Sequence, residues 1–482
     1  MTDDNKQNND QNNKNIDTSM SIDLQRRLQQ LLTDLQLDDA PAGGAVVVYQ
    51  AGECIVQASI GMARLDAAWQ PDTLAINFST GKGILATLAH VLVSQQLLSY
   101  DVPIAHYWPE FAATGKDSIT LRQVMSHQAD LFSITSIDVD SDTVLDWRVM
   151  LSHIEGMPIK APEDAAAYDS AYSALIYGWV LGGVIEAVTH MSLAEALRQY
   201  LTGPLGIADS CYFGVPDSKV DQVAKLAKDF ESSNEDSVQL RNKRQKPTLK
   251  SDSPSTLRTY TSLPSYHCWQ QKMLNDKRTA ETQSSLNDDP DNKSIDNIKP
   301  VLNTARINSL YFNTSQLNLK NYKAALIPAG KQALDYHNRK TLQAVIPAAN
   351  GVASADALAT IYAMLANGGV WQGQTLIDSA TFKQLSTIQV TGLDAVMPAP
   401  MQWRLGYHRL FSICSSKDTI ANSIEPALSG FGHMGYNGSV AWCDPTRQLS
   451  FAFIHNFDTT MLNDIRQFAM TEAVLSWVDE LH

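Results

Sequence analysis

The chain has 482 residues, with 37 Lys and Arg against 51 Asp and Glu, for a formal net charge of −14. Hydrophobic residues make up 44% and charged residues 18%, which supplies a full core and argues against a wholly disordered chain. The acidic balance disfavours a nucleic-acid binder and a protein that docks on anionic lipid, because both need clustered Lys and Arg.

The amino terminus, MTDDNKQNNDQNNKNIDTSM, reads as a disordered polar tail over residues 1–20. It has no basic n-region and no apolar h-region, so no secretory signal is expected. The longest apolar stretch, 174–188, carries Glu186 and falls short of the ~20 residues that a membrane span needs. A cytoplasmic protein is expected, with no membrane partner.

Residues 22–36 put Leu24, Leu28, Leu31, Leu32 and Leu35 on one stripe, which predicts an amphipathic helix. Two β-branched runs then flank Gln50-Ala51-Gly52-Glu53 and predict a hairpin. A helix is expected from about Ser79 to Leu98, and helix and loop over roughly 101–215. Residues 217–300 are polar and poor in aliphatic clusters, and read as a long, partly disordered insertion. Its basic cluster Arg241, Lys243, Arg244 and Lys246 has acidic neighbours, so it reads as solvated linker rather than a nucleic-acid patch.

Order resumes by about 341. Ser354 can cap a helix carrying Leu358, Ile361, Tyr362 and Leu365, which Asn367-Gly368-Gly369 ends. QWRLGYHRLF and GSVAWCDPTRQLSFAFIHNF read as strands, the second a hairpin turning at Asp444-Pro445. A closing helix over about 461–480 presents Ile465, Phe468, Val474, Leu475 and Val478.

Strands at both ends and helices between predict an α+β protein. An α/β domain would form from 21–100 and 341–482, its antiparallel sheet flanked by the first and last helices. A mainly helical domain, 101–340, would sit between the two halves. The cysteines, Cys54, Cys211, Cys268, Cys414 and Cys443, are widely spaced with no CxxC, and are expected as separate thiols in a reducing compartment. No metal ligand set is visible.

Ser79 and Lys82 form the chain's only SxxK pair. On a helix they share one face, and an amine beside a hydroxyl can take its proton or stabilise its alkoxide. Tyr168 and Tyr172 precede a helix. Beside a lysine, either could have its phenol pKa lowered and serve as a base. Phe431-Gly432-His433-Met434-Gly435-Tyr436 is a Gly-rich strand whose edge could donate an N–H to an oxyanion. No GxSxG elbow, HExxH or P-loop competes.

The order of these elements resembles the β-lactamase-related serine hydrolases, which include class C β-lactamases, D-Ala-D-Ala peptidases and family VIII carboxylesterases. ITLRQVMSHQADL, IPAANGVASADALATIYAMLANGG and FGHMGYNGSVAWCDPTRQLSFAFIHN are similar to segments of that family, and the likeness covers roughly 22–215 and 340–480. The resemblance implies the β-lactamase/transpeptidase-like fold, Ser79 as nucleophile and Lys82 as its activating partner. It implies Tyr172 as base, with Tyr168 as the alternative. His433-Met434-Gly435 would match the strand written Lys-Thr-Gly in lactamases. The backbone N–H groups of Ser79 and Tyr436 would hold the oxyanion. Ala174 stands where lactamases carry Asn. The expected activity is hydrolysis of a small-molecule ester, without cofactor, through an acyl-enzyme. The alternatives are a β-lactamase or D-amino-acid peptidase acting on a lactam or amide, and a non-catalytic binding or assembly protein on the same fold.

Overall fold

Strand β1 (Gly44–Gln50) sends Ala45 and Val47 into one core and Val46 and Val48 into another, with all four buried. Such a strand has to lie inside a sheet covered on both faces. Its neighbours are β2 (Glu53–Ile60), reached through a tight turn at Ala51 and Gly52 with φ of 50° and 85°, and β13 (Leu449–His455). The computed structural model describes residues 21–36, 42–227, 254–284, 301–328, 334–414 and 430–480. Its shorter strands are β3 (Met62–Arg64), β4 (Ala67–Ala68), β5 (Ala75–Phe78), β6 (Cys211–Tyr212), β7 (Gly351–Ala353), β8 (Val370–Trp371), β9 (Gln374–Thr375), β10 (His408–Arg409), β11 (Phe431–Met434) and β12 (Val440–Asp444). The main sheet is antiparallel and six-stranded, in the order β10-β11-β12-β13-β1-β2, and a smaller sheet runs β5-β7-β6.

The first and last helices cover one face. Helix α1 (21–34) buries the leucine stripe read from the sequence against Phe468, Val474, Leu475 and Val478 of the closing helix and against Val46, Phe451 and Phe453 of the sheet. On the other face lie α2 (Gly81–Ser94) and the helix Ala355–Ala366, whose Leu358, Ile361 and Leu365 are buried with Ala45, Val47 and Ala452. Ser354 caps that helix, its Oγ accepting from the Ala357 N–H at 3.0 Å. Behind α2 runs α3 (Ile176–Thr189), buried along its length from Ile176 to Ile185. This α+β architecture is the one expected. Among the described residues no single helix is long and apolar enough to cross a membrane.

Two expectations change, and a third gains detail. The segment 402–411 is not one strand: Gln402 and Gly406 take φ of 50° and 85°, and only His408–Arg409 pairs with β11. Part of the polar stretch 217–300 is built into the fold. Helices α4 (Pro254–Ser262) and α5 (Tyr266–Ser284), with the turn between them, bury Tyr260, Leu263 and Trp269 against Leu302, Ile307 and Tyr311. The Trp269 indole donates to the Tyr311 hydroxyl at 2.9 Å, and Tyr311 donates to Glu472 of the closing helix at 2.7 Å. A few large aromatic anchors hold these helices in a stretch poor in aliphatic clusters. The basic cluster at 241–246 and the tail 1–20 lie outside the described residues. Finally, Cys268 and Cys414 form a disulfide with Cα atoms 5.7 Å apart, while Cys54, Cys211 and Cys443 are free. The expectation of separate thiols is corrected, and the case for a reducing compartment that rested on it falls too.

Candidate active site

Strand β5 ends at Phe78, whose φ is 49°. A bulky residue in the left-handed region is strained, and here it turns the chain sharply from strand to helix. Ser79 sits at that corner, half-buried, and Lys82 follows in the first turn of α2 with no exposed surface. The Lys82 Nζ lies 3.0 Å from the Ser79 Oγ, 2.7 Å from the Ala174 carbonyl oxygen and 2.7 Å from the Ala348 carbonyl oxygen. Burial alone drives its pKa well below the usual lysine value.

Each carbonyl is held by its own device. Asn350 folds the loop that carries Ala348: its Oδ1 accepts from the Ile346 N–H at 3.0 Å and its Nδ2 donates to the Ala344 carbonyl at 2.7 Å. Ala174 belongs to the segment 170–175, which His127 grips. The Ala171 N–H donates to the His127 carbonyl at 2.9 Å, and the Ser173 N–H donates to the His127 Nδ1 at 3.2 Å. Ser173 in turn accepts from the Tyr177 N–H at 2.9 Å at the start of α3.

The same segment brings Tyr172 to the pair. The Lys82 Nζ lies 4.9 Å from the centre of the Tyr172 ring. Tyr172 is buried, and Trp403 stacks on it with ring centres 5.4 Å apart and planes 6° from parallel. Burial pushes the Tyr172 phenol upward, contact with the Ser79 hydroxyl pulls it down, and the Asp394 charge pushes it up again. The lowering expected from a neighbouring lysine is therefore not found, and desolvation of the phenolate dominates. Tyr168 is half-buried and forms no hydrogen bond to Ser79 or Lys82 among the described residues.

Gly435 carries β11 past the Ser79 turn. A Cβ there would stand 2.6 Å from the Asn77 carbonyl oxygen, so only glycine permits this approach. Neither the Ser79 N–H nor the next one along the strand, that of Tyr436, donates to another group among the described residues. His433 is buried rather than open to solvent. Its Nδ1–H donates to the Met434 carbonyl at 3.0 Å, and its ring centre lies 6.1 Å from that of Tyr172. Burial drives its pKa well below the usual value, so the imidazole is neutral.

Sequence reasoning missed His127, Asp394 and Trp403. His127 lies within ITLRQVMSHQADL, a usable signal. Asp394 lies in a loop that carries no periodicity, and Trp403 lies in the stretch 402–411 that its pattern marks as a strand. Among the described residues no group of His, Cys, Asp and Glu is arranged to hold a metal ion.

The sequence matches the Beta-lactamase family over residues 26–474. It is 29% identical over 427 residues to "Esterase/beta-lactamase LipL" of Mycobacterium tuberculosis, covering 86% of this chain and 77% of that protein. Among solved structures, a penicillin-binding protein homolog from Caulobacter crescentus superposes with a TM-score of 0.64 at 24% identity, over 96% of this chain and 97% of that one. A family VIII carboxylesterase does so with a TM-score of 0.60 at 22% identity, over 90% and 92%. The fold is thus the penicillin-binding-protein-like fold, and the chain belongs to the Beta-lactamase family.

Proposed function

We propose that this protein is a serine hydrolase of carboxylic esters working through an acyl-enzyme on Ser79. The observation that carries the reading is the setting of Lys82. Its amine has the Ser79 hydroxyl and two backbone carbonyls as partners, and desolvation alone shifts its pKa. A neutral amine would spend its two N–H groups on the carbonyls of Ala174 and Ala348, leaving its lone pair toward the Ser79 O–H.

In this reading Lys82 takes the Ser79 proton as Oγ bonds to the ester carbonyl carbon. The N–H groups of Ser79 and Tyr436 hold the resulting oxyanion. The intermediate collapses with cleavage of the bond to the alcohol oxygen. The proton passes from Lys82 through the Tyr172 phenol to that oxygen, consistent with a phenol that burial keeps protonated. Water then adds to the acyl-enzyme with the same groups as base and acid, and releases the carboxylic acid. No cofactor enters any step.

Two departures support esters over lactams. Ala174 and His433 stand where lactamases carry an Asn and a Lys, so the groups that help hold a lactam's amide and carboxylate there are absent here. A relative named esterase and β-lactamase together keeps lactam hydrolysis as the second reading. A fluorophosphonate probe should label the wild type and fail to label Ser79→Ala, with p-nitrophenyl esters turned over by the wild type alone. Labelling that survives Ser79→Ala overturns the assignment. Nitrocefin turnover equal to ester turnover favours the second reading.

A further inference from the structure

We propose that Asp394 is a positioning residue for Tyr172, fixing both the backbone beneath that side chain and the indole stacked on its ring. The inference rests on the reading of Tyr172 given above. Asp394 is 4% exposed and pairs with no cation among the described residues. Five donors surround it instead. Oδ1 accepts from the backbone N–H groups of Tyr172 at 3.2 Å, Val396 at 2.9 Å and Met397 at 2.9 Å. Oδ2 accepts from the Ser170 hydroxyl at 2.7 Å and from the Trp403 indole N–H at 2.9 Å.

A buried carboxylate without a cation is expensive unless its lone pairs are filled, and here they are. The bonds also tie three separate pieces of chain together. The segment bearing Tyr172 is joined to the loop at 394–397, where the Ala395 N–H donates to the Ser170 carbonyl at 2.8 Å and the Asp169 N–H donates to the Leu393 carbonyl at 2.9 Å. Trp403 is then pinned parallel to the Tyr172 ring. His127 packs edge-on against both rings, its ring centre 5.1 Å from Tyr172 and 4.3 Å from Trp403. Packed against these rings, the buried Tyr172 side chain lies beside Ser79 and Lys82. Merely folding the loop at 394–397 would require only the Val396 and Met397 bonds. The bonds to Tyr172 and Trp403 are what the positioning role adds.

The chemistry selects the variants. In Asp394→Asn the amide oxygen can replace Oδ1 toward the three backbone donors. Its NH2 then faces the Trp403 N–H, donor against donor, and the indole is released. Trp403→Phe keeps an aromatic ring but deletes the N–H. Full-length wild type, both single variants and the double variant are assayed with a p-nitrophenyl ester, fluorophosphonate labelling of Ser79 and thermal unfolding. The expected result for Asp394→Asn is a kcat lower by roughly 10- to 100-fold with KM within about twofold, labelling slowed in proportion, and cooperative unfolding retained. The double variant should lose no more than the worse single variant, because both break one linkage. A wild-type kcat in Asp394→Asn, a loss carried by KM alone, or losses that multiply in the double variant overturns the proposal. If Asp394→Asn does not fold, Trp403→Phe decides, and a wild-type kcat there overturns it. A wild type that the probe does not label at Ser79 overturns the underlying reading and the proposal together. A labelled wild type with an equally fast Asp394→Asn overturns the positioning role alone.

Discussion

The Lys82 Nζ stands 3.0 Å from the Ser79 Oγ, and its other two partners are uncharged backbone carbonyls at 2.7 Å. A lysine without a counter-ion in a dry site gives up its proton readily, since nothing there stabilises the ammonium as water would. The dependence of rate on pH follows. In the proposed reading Lys82 acts as base only when neutral, so kcat/KM should rise with pH through its lowered pKa and level off above it. Lys82→Arg stays protonated throughout and should lose about 10²- to 10⁴-fold in kcat. Wild-type turnover in Lys82→Arg would remove Lys82 from the proton path.

The two tyrosines separate cleanly. Tyr172→Phe removes the hydroxyl next to Ser79 and should lower kcat by about 10²- to 10⁴-fold with little change in stability. Tyr168→Phe should keep ester turnover within about twofold of wild type. The opposite pattern in steady-state kinetics would move the base to Tyr168.

Gly435→Ala tests the close approach of the end of β11 to the Ser79 turn. The new Cβ would lie 2.6 Å from the Asn77 carbonyl oxygen, so strand or turn must shift. A misplaced oxyanion donor costs about 3 kcal/mol in the transition state, or roughly 10²-fold in kcat. Stability should fall by about 1–3 kcal/mol. An unaltered kcat would mean that the edge of this strand plays no part in holding the oxyanion.

Acid should destabilise the fold. Burial holds His90 and His408 down to about 3, against about 6.5 in an unfolded chain. Their folded pKa values lie below the unfolded ones, so between pH 6.5 and 3 the unfolded chain binds protons that the fold refuses. Stability is complete above the unfolded value and declines as pH falls through that window, by up to about 1.4 kcal/mol per imidazole per pH unit. Between pH 7 and pH 5 these two residues should lower unfolding free energy by about 2–4 kcal/mol, read from urea midpoints. Equal midpoints at the two pH values would contradict it.

The disulfide can be counted. Denatured without reductant, the chain should titrate three thiols, and with prior reduction all five. Cys268→Ser opens a loop with a sequence separation of 146 and should destabilise by up to about 5 kcal/mol. Five thiols in the unreduced chain would refute the pairing of Cys268 with Cys414.

The sequence by itself determined the elements whose signal is local. The α1 leucine stripe, the turn at Ala51-Gly52, the Ser354 cap and the β12–β13 hairpin are each written in residues close together in the chain, and periodicity or turn chemistry exposes them. Ser79 and Lys82 were legible for the same reason, since residues three apart share a helix face. Tertiary structure decided what depends on residues far apart in sequence. The register that puts Tyr172 rather than Tyr168 beside Lys82, the two carbonyls that hold the amine, the Asp394–Trp403 clamp and the Cys268–Cys414 bond all join segments that local pattern leaves independent. Such contacts arise only when the core brings these segments together, and the groups they use, a backbone carbonyl or one loop carboxylate, leave no period in the sequence to read.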